Sequence, residues 1–340
     1  MSRTTFREIA SAHRMAWCAR VDDSGTTTVL HGPWVETFSG GFVEGAWSGR
    51  YSEYDFFDAD ILLGSGGINL GQEPMFSTAT HPFEPLYSLN EDHQFFISNS
   101  LSFLCAVTGA APDPDYPFYV NDLISFMKGI SYAESHVELD RGRRVRLHYC
   151  STIRIKHNST LQEQRHPPLE AVATFQEYRE FLSEASKAIV RNARAAARDR
   201  TFRPLATISS GYDSPATAVF AREAGASRSV TFEAARDVFG EVQDTGAQVA
   251  RHLGLDVTEF DRLQYQERRD YPEADFLAAG TGGEDVVFAS FEEELPATIL
   301  FTGFLGDTLW SRHHQDPSGS LDFVMTHPAG ASIQEFRLRT

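Results

Sequence analysis

The stretch Pro204 to Gly225, PLATISSGYDSPATAVFAREAG, constrains this chain more than any other. Leu205 to Ile208 is a short apolar run that ends in the polar turn Ser209-Ser210-Gly211-Tyr212-Asp213-Ser214. Pro215 to Ala224 then has helical composition and is closed by Gly225. Proline is favoured at the first helical position, where its missing N–H would lack a partner anyway, and glycine is the usual residue just past a helix end. The spacing therefore predicts strand, tight turn, helix. Such a turn aims several backbone N–H groups and the positive end of the helix dipole at one point, which suits an anion such as pyrophosphate. A Ser/Gly turn capping an ordinary helix reads the same way, so the hexapeptide needs support from the rest of the chain.

The hexapeptide resembles the pyrophosphate loop of the ATP pyrophosphatases, SGGxDS. Ser209, Gly211, Tyr212 at the free position, Asp213 and Ser214 match it, and Ser210 stands where the family has its first Gly. A side chain there crowds a phosphate or alters the backbone angle, or its hydroxyl donates to an oxygen. Downstream, Ala297 to Phe301 reads as a buried strand ending in Thr302-Gly303-Phe304-Leu305-Gly306-Asp307-Thr308-Leu309-Trp310. This is similar to the SGxGxDExF loop of the asparagine synthetase-like branch, with Thr302, Gly303, Asp307 and Trp310 in pattern. Phe304 and Thr308 replace two glutamates, and Leu305 replaces a glycine.

The resemblance implies ATP and Mg2+ as cofactors. Ser209, Ser210, Gly211, Tyr212 and Ser214 would surround the phosphates, the backbone around Thr231 would contact adenine, and Asp213 and Asp307 would hold Mg2+. Two carboxylates at the C-terminal ends of two strands can clamp a cation that bridges phosphate oxygens. Glu241 and Asp244 fall near an acidic pair in the relatives, although a capped and solvated helix start explains them equally well.

With 340 residues the chain is long enough for two domains, and 41% hydrophobic residues can build real cores. No apolar run approaches the length of a membrane span, and the first residues lack the apolar centre of a secretory signal, so a cytoplasmic protein is expected. The net charge of −17 argues against a nucleic-acid partner. Cys18, Cys105 and Cys150 are far apart, without CxxC spacing, and read as reduced thiols in or near the core. The adjacent His313 and His314 point in different directions on any regular element and read as loop residues.

Residues 1–166 read as mostly β. Thr27–Leu30, Phe95–Ser98 and Val145–Ile155 are strand-like, Asp140–Arg143 is a turn, and Gly64-Ser65-Gly66-Gly67 reads as a loop. Phe96 to Leu104 and Tyr132 to Leu147 resemble parts of the amidotransferase-type N-terminal domain of asparagine synthetases. A working glutaminase there exposes a cysteine as the first residue after Met removal. This chain begins Met1-Ser2-Arg3 and its first cysteine is Cys18, so no glutamine hydrolysis is expected, and the unit is a relic or a substrate platform, as in relatives similar to β-lactam synthetase and lasso-peptide cyclase.

Pro167-Pro168 reads as a linker to a second domain, residues 167–340. Phe175, Tyr178, Phe181, Leu182, Ala185, Ala188 and Ile189 recur at helical spacing, predicting a long amphipathic helix from Thr174 to about Ala197. Strands at Ser227–Ala234 and Asp256–Phe260, with a helix from about Glu241 to Leu253 between them, predict an α/β unit with a parallel sheet. Glu284 and Asp285 fall where relatives line the substrate pocket, whereas Glu292-Glu293-Glu294 reads as a solvated face.

The expected architecture is an amidotransferase-like α+β domain of the N-terminal-nucleophile type followed by an adenine nucleotide α-hydrolase-like domain. The expected activity is adenylation of a small-molecule or peptide carboxylate and its transfer to an amine or ammonia. No lysine follows the phosphate loop, and the long C-terminal helical part of relatives is missing after Asp307. Arg312 is the candidate cation for the departing pyrophosphate. The chain is therefore a fragment, is completed by a partner protein or a second copy, or is a degenerate homologue serving as a nucleotide-binding subunit or scaffold. An NAD or GMP synthetase fits the N-terminal half and the Asp307 loop less well.

Overall fold

Alternation along the strands decides which sheet face each residue of the first half occupies. A computed structural model describes residues 4–71, 73–91, 94–116, 118–128, 132–156, 160–165, 173–237, 240–267 and 284–303. In chain order the strands of the first half are β1 (Thr4–Glu8), β2 (Trp17–Asp22), β3 (Thr27–His31), β4 (Glu36–Phe38), β5 (Gly41–Trp47), β6 (Leu62–Ile68), β7 (Met75–Ser77), β8 (Leu86–Glu91), β9 (Gln94–Ser98), β10 (His136–Glu138), β11 (Arg144–His148), β12 (Ser151–Lys156) and β13 (Thr160–Arg165). They form a seven-stranded sheet ordered β1-β3-β2-β9-β8-β11-β10 and a six-stranded sheet ordered β13-β12-β7-β6-β5-β4.

The period of two is visible in β2. Trp17, Ala19 and Val21 face the second sheet and share a core with Phe42, Phe76, Ile153 and Ile155. Cys18, between them, faces the other way, toward α1 (Leu101–Thr108) and α2 (Tyr119–Ile124), where Leu104 and Leu123 pack on Tyr87, Val145 and Leu147. The Trp17 ring meets Phe42 edge-on at 4.7 Å and stacks on Phe76 at 5.8 Å. Ser100 caps α1 by accepting from the Phe103 N–H.

Two expectations for this half need correction. Gly64 to Gly67 lie inside β6 rather than in a loop. A Cβ at Gly66 would meet the Phe42 carbonyl at 2.6 Å and the Phe56 ring at 2.8 Å, so glycine admits a close approach of neighbours within the sheet. Val145 to Ile155 is not one strand. β11 pairs with β8 in the first sheet and β12 with β7 in the second, and the chain crosses between the sheets at Cys150, whose φ is 45°.

The second half opens with α3 (Phe175–Ala193), started by a full capping box between Thr174 and Glu177. The elements that follow are β14 (Arg203–Thr207), α4 (Asp213–Glu223), β15 (Arg228–Phe232), β16 (Ala234–Asp237), β17 (Gly240–Gln243), α5 (Ala247–His252), β18 (Asp256–Phe260) and β19 (Thr298–Phe301). β18, β15, β14 and β19 lie in that order as one parallel sheet. The helix expected from Glu241 begins only at Ala247. Residues 234–243 form a hairpin, and Thr245 is drawn into an isolated bridge with Ser209, which holds the segment extended. The Pro167-Pro168 linker and His313-His314 lie outside the described residues.

The two halves are fastened by a buried ion pair. Arg198, whose side chain is fully buried, donates to Glu36 Oε2 at 2.5 Å, to Asn192 Oδ1 at 2.6 Å and to the Gly45 carbonyl at 2.9 Å. Its guanidinium also lies 4.4 Å from the centre of the Tyr51 ring. Burial raises the Glu36 carboxyl and lowers Arg198, so each depends on the other to remain charged.

Candidate functional site

The order of the parallel sheet locates the site. From β14 the chain adds β15 and β18 on one side and then returns to place β19 on the other. The strand order reverses between β14 and β19, and open parallel sheets bind ligands at the carboxyl ends of the strands at that point. The turn after β14 holds Ser209 to Ser214, and β19 leads into Thr302 and Gly303.

The two loops touch. A Cβ on Gly303 would stand 2.3 Å from the Ser214 nitrogen and 2.5 Å from the Asp213 carbonyl carbon. Only a residue without a side chain brings the β19 loop this close to the first turn of α4. α4 has no side-chain cap, and Asp213 is exposed within that turn. Its first N–H groups and the helix dipole therefore face an uncapped end, which suits an anionic group.

The turn is braced from within. The Ser209 N–H donates to Ser214 Oγ at 2.8 Å, the two hydroxyls lie 2.8 Å apart, and the Gly211 N–H donates to Ser209 Oγ at 3.3 Å. A Cβ at Gly211 would meet nothing nearer among the described residues than Ser209 Oγ at 3.5 Å, so these residues leave space open above the turn. Tyr212 is 94% exposed, and its ring takes no part in holding the turn.

Ser210 is tied to the hairpin segment rather than turned over the open space. Its hydroxyl donates to Asp244 Oδ1 at 2.7 Å, and its N–H lies 3.2 Å from the same oxygen and 3.1 Å from the Asp244 carbonyl. Asp244 thus acts as the anchor of the turn, a role that its place in the sequence does not announce. Thr231 is buried, and its hydroxyl accepts from the Gly246 N–H at 2.9 Å. A Cβ at Gly246 would meet the Ile208 carbonyl carbon at 2.7 Å, so Thr231 and Gly246 together press the start of α5 against the end of β14. For Gly246 the sequence signal was the Thr245-Gly246 pair before a helix, which by itself is too common to point to it.

Asp307 and Arg312 lie outside the described residues, as do Phe304, Leu305 and Thr308. The structure thus brings together Ser209, Ser210, Gly211, Tyr212, Asp213, Ser214 and Gly303 at one end of the sheet, with Thr231 beneath them. Glu241 lies in β17, away from any helix start.

A second cluster has the order of a nucleophile, a base and an acid. Ser88 Oγ lies 2.8 Å from His148 Nε2, and His148 Nδ1 lies 3.2 Å from Glu163 Oε2 without hydrogen-bond alignment. Glu163 also accepts from Ser151 Oγ at 3.0 Å and from Arg146 at 2.6 Å. Burial raises its carboxyl, but the His148, Ser151 and Arg146 contacts outweigh that and hold it down to about 2. Ser88 is 4% exposed and His148 fully buried, so this cluster ties the two sheets together and does not meet a substrate.

No family model matches the chain, and no curated protein matches it. Among the described residues no helix is long and apolar enough to cross a membrane, and no group of three or more His, Cys, Asp or Glu side chains is gathered to hold a metal ion.

Proposed function

We propose that the chain is an asparagine synthetase-like ATP pyrophosphatase that activates a carboxylate as an acyl-adenylate and passes it to a nitrogen nucleophile, forming an amide or lactam. On this reading residues 167–340 are an adenine nucleotide α-hydrolase-like domain and residues 1–166 an amidotransferase-like domain of the N-terminal-nucleophile type. The observation that carries the reading is the meeting of the two loops at the sheet's reversal point, with Gly303 seated on the backbone of Asp213 and Ser214.

The chain's own part in the chemistry is positional. The uncapped amides of α4 hold phosphate oxygens, and the braced turn keeps them in place before the ligand arrives. Asp213 and Asp307 are the residues that would hold Mg2+, which when bound neutralises charge on the phosphates. Arg312 would meet the departing pyrophosphate.

A second reading has its own support. Ser210 spends both its hydroxyl and its N–H on Asp244, so neither is directed at a phosphate. This favours a nucleotide-binding scaffold without turnover. ATP–pyrophosphate exchange with pooled carboxylates separates the two. Exchange that Asp213→Ala and Asp307→Ala each abolish supports the ligase. ATP binding without exchange supports the scaffold, and no ATP binding at all refutes both.

A further inference from the structure

A cavity of about 620 Å3 lies between the two-sheet half and the outer edge of β19 and reaches Thr302, beside the contact of Gly303 with α4. Its polar wall is made by Glu44, Ser65, His81, Glu84 and Asn99, with His13 on the rim, and its apolar wall by residues such as Met15, Leu63, Phe202, Ile299 and Leu300. Glu44 is 7% exposed, and its Oε1 accepts from Ser65 Oγ at 2.7 Å and Asn99 Nδ2 at 3.2 Å. Ser65 is itself oriented by the Trp17 indole N–H at 2.9 Å, and the Trp17 N–H donates to Asn99 Oδ1 at 2.8 Å. The Glu44 carboxyl is therefore held rigidly at the cavity wall. Glu84, whose side chain is 62% exposed, stands at the mouth with His81 Nε2 3.7 Å away.

Among the described residues the lining contains two carboxyl groups and no lysine or arginine. We propose that this cavity binds a small aliphatic amine in its ammonium form, with Glu44 as the ion partner and the alkyl body on the apolar wall. Three observations select that class. An anionic ligand would meet two carboxyls without a counter-charge. A metal ion lacks ligands, since no group of three or more His, Cys, Asp or Glu is gathered among the described residues. A neutral ligand gains no ion partner from Glu44, whereas an ammonium pairs with that carboxyl once it gives up its proton.

Burial, reinforced by the Glu84 charge, pushes the Glu44 carboxyl up to about 8. Near pH 7 the free cavity thus holds Glu44 protonated, and an entering ammonium displaces that proton to the buffer. Amine affinity then rises about tenfold per pH unit up to the Glu44 value and levels off above it. His13 and His81 line the same wall, so the Glu44 share is isolated with Glu44→Gln.

The test is calorimetric titration of the full chain with n-butylamine and n-butanol, without nucleotide, so that it stands independently of the ATP reading. The expected result is amine binding at least tenfold tighter than the alcohol, proton release near pH 7 seen across buffers of different ionisation enthalpy, and loss of at least tenfold in amine affinity in Glu44→Gln with alcohol binding unchanged. Glu84→Gln, at an exposed position, is expected to weaken the amine about threefold or more and serves as the test if Glu44→Gln does not fold. Equal binding of amine and alcohol, absence of binding by either, or an amine affinity indifferent to both substitutions overturns the proposal.

Discussion

Replacing Glu44 by Gln is expected to stabilise the protein at neutral pH, and the size of the gain follows from the carboxyl's surroundings. The side chain is almost fully buried, and Ser65 and Asn99 both donate to Oε1, an acceptor that Gln retains. The carboxyl rises from 4.5 to about 8. Its folded value lies above its unfolded value, so the folded state binds the extra proton between those two pH values. Stability is therefore unaffected by Glu44 below pH 4.5, declines as pH rises through the interval, and is lowest above pH 8. At 1.36 kcal/mol per pH unit the full decline is ~5 kcal/mol, and roughly 3 kcal/mol of it is present by pH 7. Denaturant unfolding of the native chain and of Glu44→Gln at intervals from pH 4 to pH 9 reads this directly, because titrations elsewhere cancel in the difference. The difference should open in favour of Gln across that window and then flatten. Two curves that run parallel from pH 4 to pH 9 would show that Glu44 ionises freely and would sink the argument.

The opposite sign is expected at Glu163. Its contacts hold the carboxyl near 2 against an ordinary 4.5, so its contribution of ~3 kcal/mol is present above pH 4.5 and is lost as pH falls toward 2; Glu163→Gln should lower stability at pH 6 and not at pH 2 in the same assay. Arg198→Met leaves Glu36 buried without its partner and should cost about 3–5 kcal/mol by denaturant unfolding, most of it restored when Glu36→Gln is added; a loss below about 1 kcal/mol would mean that the pair does not fasten the two halves. Gly303→Ala forces the β19 loop away from α4, since the new Cβ would stand 2.3 Å from the Ser214 nitrogen. A destabilisation of roughly 1–3 kcal/mol is expected, together with at least a tenfold loss of ATP affinity by calorimetry, and unchanged affinity would remove the meeting of the loops as the basis of the nucleotide reading.

Local pattern was enough where the residues that define an element are neighbours in the chain. The turn between β14 and α4, the helix from Phe175, and the strands at Thr27, Phe95 and Asp256 were all legible, because backbone propensity, caps and apolar spacing act over a few residues. Misreadings occurred where the deciding partner was distant. Gly64 to Gly67 resemble a loop until Phe42 and Phe56 are seen to need the space of their missing side chains. The run from Val145 to Ile155 is continuous in hydropathy, yet β8 claims one end and β7 the other, and Cys150 makes the crossing between sheets. The stretch after Glu241 had helical composition, but pairing of Thr245 with Ser209 and the approach of Gly246 to Ile208 delay the helix to Ala247.

The candidate site divides in the same way. Ser209, Gly211, Asp213 and Ser214 announce a turn between a strand and a helix by their order alone, because its geometry is made within six consecutive residues. Asp244 as anchor of Ser210, Gly303 as the contact between two loops, and Glu44 as the raised carboxyl of a cavity depend on residues tens of positions apart, brought together by sheet order and by burial. By itself the sequence determined a strand, a turn and a helix, and an acidic chain. Only the tertiary structure decided what that turn leans on and which carboxyl loses its water, since desolvation and close backbone approach are properties of packing and have no local signature.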